Sequence, residues 1–238
     1  MGGPPIKTAF SLKPNKLHLR SRLAQAKQMV IRLRTSNPRT KPRNTMKTNS
    51  KHINGIDTEA LGNAAQAIAN DASQGQTKWL VSSHWKGGTR SDAKVSEYHL
   101  AGQRIARNFT ISIDEPLELC GANQYANPQE YLLAALNACM IVGYTALCSL
   151  QGITIDELVI ETEGDIDLRG FLGLDPTVKP GYDGLRYTVH LKGSGTPEQF
   201  EEIHRKVMAT SPNYFNIANA IPLQSQLVIG SLAEKHAA

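Results

Sequence analysis

The sequence predicts an α+β fold with mostly antiparallel strands, and three observations lead there. A segment from Tyr131 to Ile153 carries no charged residue. Stretches on both sides of it alternate apolar and polar residues with the period of a half-buried strand. A second, amphipathic helical pattern over 196–210 then separates the later strands from the C-terminal end.

Taken in order, residues 57–73 read as a helix, with Leu61, Ala64, Ala65 and Ile68 at helical spacing and Asp57 as N-cap. Trp79, Val81, Ser83 and Trp85 alternate as a strand that stops at Gly87-Gly88. Two strands follow around a turn at Ala101-Gly102; Phe109, Ile111 and Ile113 share a face, and Pro116 ends the second strand. Asn127, Pro128 and Glu130 form an N-cap, a first-turn proline and a capping-box acid, so the long apolar helix starts there and stops at Gly152. Residues 153–168 and 183–193 read as an antiparallel pair. Phe200, Ile203 and Val207 mark the inner face of the 196–210 helix, residues 211–221 a short helix or turn, and 222–230 a final strand. The segment 164–176, "GDIDLRGFLGLDP", is either a strand end with a turn or a loop over a pocket between subunits.

The charge-free helix is long enough to cross a bilayer. Against that, it spends positions on Asn137, Thr145, Ser149 and Gln151, and the strands around it need a core to cover. Burial is the expectation, with small residues such as Ala134, Ala138 and Gly143 allowing another helix close approach. A helix apolar on all sides is hard to bury within one domain of this size, which points to an interface between two copies.

Charge divides the chain. Of 26 basic residues 13 lie in residues 1–56, which contain none of the 21 acidic ones. The remaining 13 bases face 21 acids, so the body is acidic and nucleic-acid binding by it is not expected. Residues 1–56 are expected to lie outside the fold, which then occupies 57–238. They read as a disordered basic arm, as an organelle-targeting segment, or as an extension upstream of a start at Met46. The expected location is cytoplasmic, or organellar if the arm is a targeting segment. No membrane partner is expected.

Three cysteines, Cys120, Cys139 and Cys148, cannot all pair, and their spacing matches no zinc motif. A reducing compartment fits, leaving each thiol to packing or chemistry. Cys148 lies nine residues beyond Cys139, ~13 Å along a helix and on its opposite side, too far for a disulfide. No metal or cofactor signature is present in the spacing of His84, His99, His190 and His204.

"NPQEYLLAALNAC", followed by Gly152-Ile153 and a strand, resembles the family of osmotically inducible protein C and organic hydroperoxide resistance proteins (OsmC/Ohr). "GGTRSDAKVSE" resembles the family's Gly-Gly-Arg strand end, and "FEEIHRKVMATSPN" its last helix. The likeness spans about residues 77–230. It implies an intertwined homodimer, with antiparallel sheets around long buried central helices. It also implies a response to oxidative stress in which a helix Cys attacks an organic hydroperoxide, a second Cys resolves the sulfenic acid, and an Arg and a Glu hold the thiolate.

Carried over by position, Cys139 is the attacking thiol and Arg90 the cation. Gln129 stands where the family has its Glu, with Glu130 one place later. Ser211 replaces the resolving Cys. The resemblance therefore implies a peroxidase with Cys139 as single peroxidatic thiol and an external thiol as reductant. The alternative is a redox-inactive homodimer that binds a small apolar ligand. Cys120, in the loop before the helix, is an alternative resolving thiol; Cys148 reads as packing.

Overall fold

The computed structural model describes residues 52–230; the basic extension up to residue 51 and residues 231–238 lie outside the described residues. A short hairpin, β1 (His52–Ile53) and β2 (Ile56–Asp57), leads into helix α1 (Thr58–Asn70), whose first turn is capped by Asp57 Oδ1 accepting from Ala60 N. Residues 52–56 depart from the expectation that the body begins at Asp57. Asn54, in the hairpin turn, donates to Ser149 Oγ and Ile153 O and accepts from Ile155 N at 2.8 Å. A chain begun at Asp57 loses all three bonds, although Ser149 Oγ keeps its bond to Thr145 O. We expect it to be about 2–3 kcal/mol less stable than one begun at Met46, read as a melting temperature lower by roughly 4–10 °C.

The first sheet is antiparallel and four-stranded: β3 (Thr77–Trp79), β4 (Ser82–Trp85), β5 (Ser91–Leu100) and β6 (Gln103–Ile113). The single strand expected over 79–85 is two. Trp79 pairs with Tyr98 and Ser82 with Lys94, a one-residue change of register that breaks the strand at Leu80-Val81. The break lies opposite the β5 irregularity between Val95 and Glu97, where pairing with β6 also shifts. β5 and β6 join through Ala101 and Gly102, both with positive φ (49° and 77°). Such a two-residue turn favours Asn-Gly. Ala101→Asn should therefore raise stability by about 0.5–1 kcal/mol, measured by denaturant unfolding.

Helix α2 (Pro128–Leu150) begins as expected: Asn127 Oδ1 accepts from Glu130 N, and Glu130 Oε2 accepts from Asn127 N at 2.7 Å. Gly152, at φ 74°, supplies the left-handed residue just beyond its end. β7 (Ile155–Gly164) then pairs antiparallel with β8 (Leu185–Gly193), and between them lies a single helical turn, α3 (Leu168–Phe171). Helix α4 (Pro197–Thr210) carries its own capping box, Thr196 with Gln199, and leads into α5 (Pro212–Ala218).

The core is one stripe of α2. Leu136, Met140, Tyr144 and Cys148, four residues apart, pack with Ile160 of β7 and with Ile203 and Val207 of α4. Gly143 allows the close approach of α4: a Cβ there would lie 3.3 Å from both Val207 methyls. Asn137 joins α2 to β7, donating to Ile160 O and accepting from Thr162 Oγ1. By length and composition α2 would span a membrane. The outer side of α2 is open: Ala134, Ala138 and Val142 are exposed, Val142 to 67%.

The strand expected over 222–230 is absent. The segment is without regular structure or backbone pairing among the described residues, and Leu223 is 93% exposed. Its alternation is strand-like, but a strand needs an edge to pair with, and this chain does not bring one to it.

Candidate functional site

The packing of α4 on α2 determines what faces Cys139. Ile203 and Val207 are fully buried against α2, so the C-terminal end of α4 delivers Ser211 beside the sulfur. Ser211 Oγ lies 3.3 Å from Cys139 Sγ. Ser211 is also the N-cap of α5, its Oγ accepting from Tyr214 N. The same hydroxyl is within donating distance of the sulfur. Asn213 Nδ2 donates to Ala135 O at 2.8 Å and pins the start of α5 to α2. Cys139 is half-buried, whereas Cys148 is fully enclosed and burial pushes its thiol up. Cys120 is exposed, at φ 64° in the loop before α2.

Arg90 is placed elsewhere. It closes a tight turn in which Arg90 N donates to Gly87 O and Lys86 N to Arg90 O. Its guanidinium lies over the Tyr125 ring, 5.1 Å from the centroid, with Nη2 3.5 Å from Tyr125 Oη. No hydrogen bond joins it to Cys139 among the described residues, and its Nε is buried without a partner.

Glu130 caps α2, its Oε2 accepting from the Asn127 N–H. Gln129 is exposed on the first turn of α2. Of the expected residues, Cys139 and Ser211 meet, Arg90 contacts Tyr125 and Glu130 caps α2.

Two groups escaped the sequence reading. The first is Tyr125. The second is Asp114, whose carboxylate accepts from Thr89 Oγ1 at 2.8 Å. The Thr89 hydroxyl, with the backbone N–H groups of Glu115, Gln124 and Ala122, holds Asp114 below the usual carboxylate range despite burial. An acid just before the strand-ending Pro116 was the available signal.

Histidines are satisfied in place. His99 meets Glu97, His190 meets Glu161, and the buried Tyr144 hydroxyl shares a hydrogen bond with His204 Nδ1. Burial pushes the Tyr144 phenol up, so it stays neutral.

Below the thiol, one turn of α2 away, a cavity of about 530 Å³ is lined by Leu132, Leu136, Tyr187, Tyr214 and Ile217 and edged by Tyr182. Tyr214 connects the two features, since its N–H is bound to Ser211.

Residues 121–226, which contain α2, β7, β8, α4, α5 and the Cys139–Ser211 pair, match the sequence model of a family described as OsmC-like protein. This region is OsmC-like. Among solved structures the chain is similar to an OsmC-like protein from Mycoplasma pneumoniae, with 20% identity and a TM-score of 0.44 over 60% of this chain and 89% of that one. It is also similar to an organic hydroperoxide resistance protein from Legionella pneumophila, with 17% identity and a TM-score of 0.40 over 59% and 88% of the two chains. A third likeness is to an organic hydroperoxide resistance protein from Elizabethkingia anophelis, at 20% identity, a TM-score of 0.39, and 57% and 86% coverage. None of the curated proteins matches the chain significantly.

Proposed function

We propose that this OsmC-like protein reduces organic hydroperoxides with Cys139 as its single peroxidatic thiol. The observation that carries the reading is the Ser211 hydroxyl 3.3 Å from Cys139 Sγ. The thiolate is the nucleophilic form of cysteine, and the Ser211 hydroxyl stands within hydrogen-bond reach of it. The half-buried setting of Cys139, one turn from an apolar cavity, suits an alkyl hydroperoxide whose carbon chain needs burial while its O–O bond meets sulfur.

In the reaction, the thiolate attacks one peroxide oxygen. An S–O bond forms, the O–O bond breaks, and the alkoxide leaves and takes up a proton as alcohol. Cys139 is then a sulfenic acid. Ser211 has no sulfur and cannot condense with it. An external thiol does so, releasing water and forming a mixed disulfide, and a second thiol molecule displaces it to restore Cys139. A reducing compartment, cytoplasmic or organellar, supplies that thiol.

The working unit is a homodimer in this reading. Ala134, Ala138 and Val142 are spaced four apart on the exposed side of α2, a stripe of small residues on which a second α2 packs. Exposed Trp79, Trp85, Phe109, Leu227 and Ile229 add apolar surface well beyond what monomers carry. The unpaired 222–230 segment supplies a strand for the other copy's sheet. Arg90 acts as the cation of the thiol site across this interface in the same reading; among the described residues of its own chain it contacts Tyr125.

The apolar cavity also favours a second reading, a redox-inactive homodimer that holds a small apolar ligand there. Turnover separates the two. With cumene hydroperoxide and a small dithiol, catalytic peroxide loss proportional to protein is expected; its absence, with the hydroperoxide or its alcohol still binding stoichiometrically, supports the ligand-binding dimer.

A further inference from the structure

Asp114 lies one residue past β6 and is 1% exposed. A buried carboxylate is costly unless its lone pairs are occupied. Here they are. Oδ1 accepts from Thr89 Oγ1 at 2.8 Å and Glu115 N at 2.9 Å; Oδ2 accepts from Ala122 N at 3.1 Å and Gln124 N at 3.3 Å.

The three backbone bonds close the 114–124 loop, whose tightness is set by Gly121: a Cβ there would lie 1.8 Å from Glu115 O. The Thr89 bond has no part in that closure. It crosses to the Gly87–Arg90 turn. Two of the four donors therefore sit immediately before Arg90 and immediately before Tyr125, the pair whose side chains meet at 5.1 Å.

Arg90 itself has no carboxylate partner among the described residues, and its Nε is buried without an acceptor. An ion pair would orient the guanidinium but also neutralise it. Orientation through the backbone and an aromatic face leaves the charge available to an incoming anion.

We propose that Asp114, through Thr89, is a positioning residue that holds Arg90 against Tyr125 in the orientation the thiol site uses. The inference rests on the reading of Arg90 as the cation that favours the Cys139 thiolate. Asp114 touches neither substrate nor sulfur; it sets where the cation stands.

The test uses the full chain and four variants: Thr89→Val, Thr89→Ala, Thr89→Ser and Arg90→Met. Thr89 is exposed, so its replacements are expected to fold. Alkylation of Cys139 by iodoacetamide is followed from pH 5 to 9 by mass spectrometry, beside the melting temperature of each protein. Arg90→Met should shift the pH–rate profile to higher pH. Thr89→Val and Thr89→Ala should shift it in the same direction and slow alkylation at pH 7 by about three- to tenfold, the scale of one hydrogen bond. Thr89→Ser, which keeps the hydroxyl, should restore the parent profile and melting temperature; Thr89→Val and Thr89→Ala should melt a few degrees lower for the lost bond to Asp114, so alkylation is followed well below each melting temperature. If both Thr89 variants follow the parent profile while Arg90→Met is displaced, Asp114 only staples its loop and the proposal is overturned with the role of Arg90 intact. If Arg90→Met also follows the parent, Arg90 is not the cation and the proposal falls with that reading.

Discussion

Cys139→Ser is expected to abolish hydroperoxide consumption, with a loss in kcat/KM of at least about 10³-fold, because no second thiol near the site can replace the nucleophile. Cys148 is fully buried on the core stripe, with its thiol pushed up by that burial, and Cys120 sits in an exposed loop. Cys120→Ser should accordingly retain parent activity.

Ser211→Cys supplies the complementary gain. The Oγ to Sγ separation is 3.3 Å, and a disulfide needs ~2.05 Å between sulfurs, a gap that small side-chain rotations close. Peroxide should convert this variant to an intramolecular disulfide between Cys139 and the introduced thiol, and remove its dependence on the external thiol for the first resolving step. Non-reducing peptide mapping detects the linkage. A Ser211→Cys protein that only accumulates sulfenic acid would mean the two side chains do not meet in solution.

The second large effect concerns assembly. The protein should sediment at about twice the 26.0 kDa chain mass at micromolar concentration. The outer side of α2 presents Ala134, Ala138 and Val142 with no charge between Tyr131 and Ile153. Val142→Glu would place a carboxylate in the centre of that contact without a partner, costing several kcal/mol of association. We expect at least about a hundredfold weaker dimer, consistent with 1.4 kcal/mol for each factor of ten, and a parallel loss of activity. A stable, soluble monomer of the parent chain, equally active when dilute, would remove the basis for the interface.

The elements legible in the sequence are those whose signals are local. Asn127-Pro128 with Glu130, and Thr196-Pro197 with Gln199, write both helix starts within four residues, and the structure forms both capping boxes. The β5–β6 hairpin is equally local. Where the outcome depends on a distant partner, pattern alone failed. Residues 222–230 alternate like a strand, yet nothing among the described residues pairs with them. Asn54 lies in the segment set aside for its charge, and its importance comes from Ile153 and Ile155, about a hundred residues away.

The site divides in the same way. Cys139 and Ser211, 72 residues apart, came from the family pattern and meet in the structure. Arg90 was identified by its glycine context, but its contact with Tyr125 and its tie to Asp114 are products of how the 114–126 loop folds back on the β4–β5 turn. No spacing rule encodes that.

The most direct measurement is the fate of Cys139 after one equivalent of alkyl hydroperoxide. The reduced protein is treated with peroxide in the presence of a dimedone-type probe, digested and mapped by mass spectrometry. The account predicts the sulfenic acid adduct on Cys139, stoichiometric with peroxide consumed, and unmodified Cys148. A Cys139 that stays unlabelled and resists alkylation in the native protein would contradict it, leaving the OsmC-like fold with a buried cysteine and a different task.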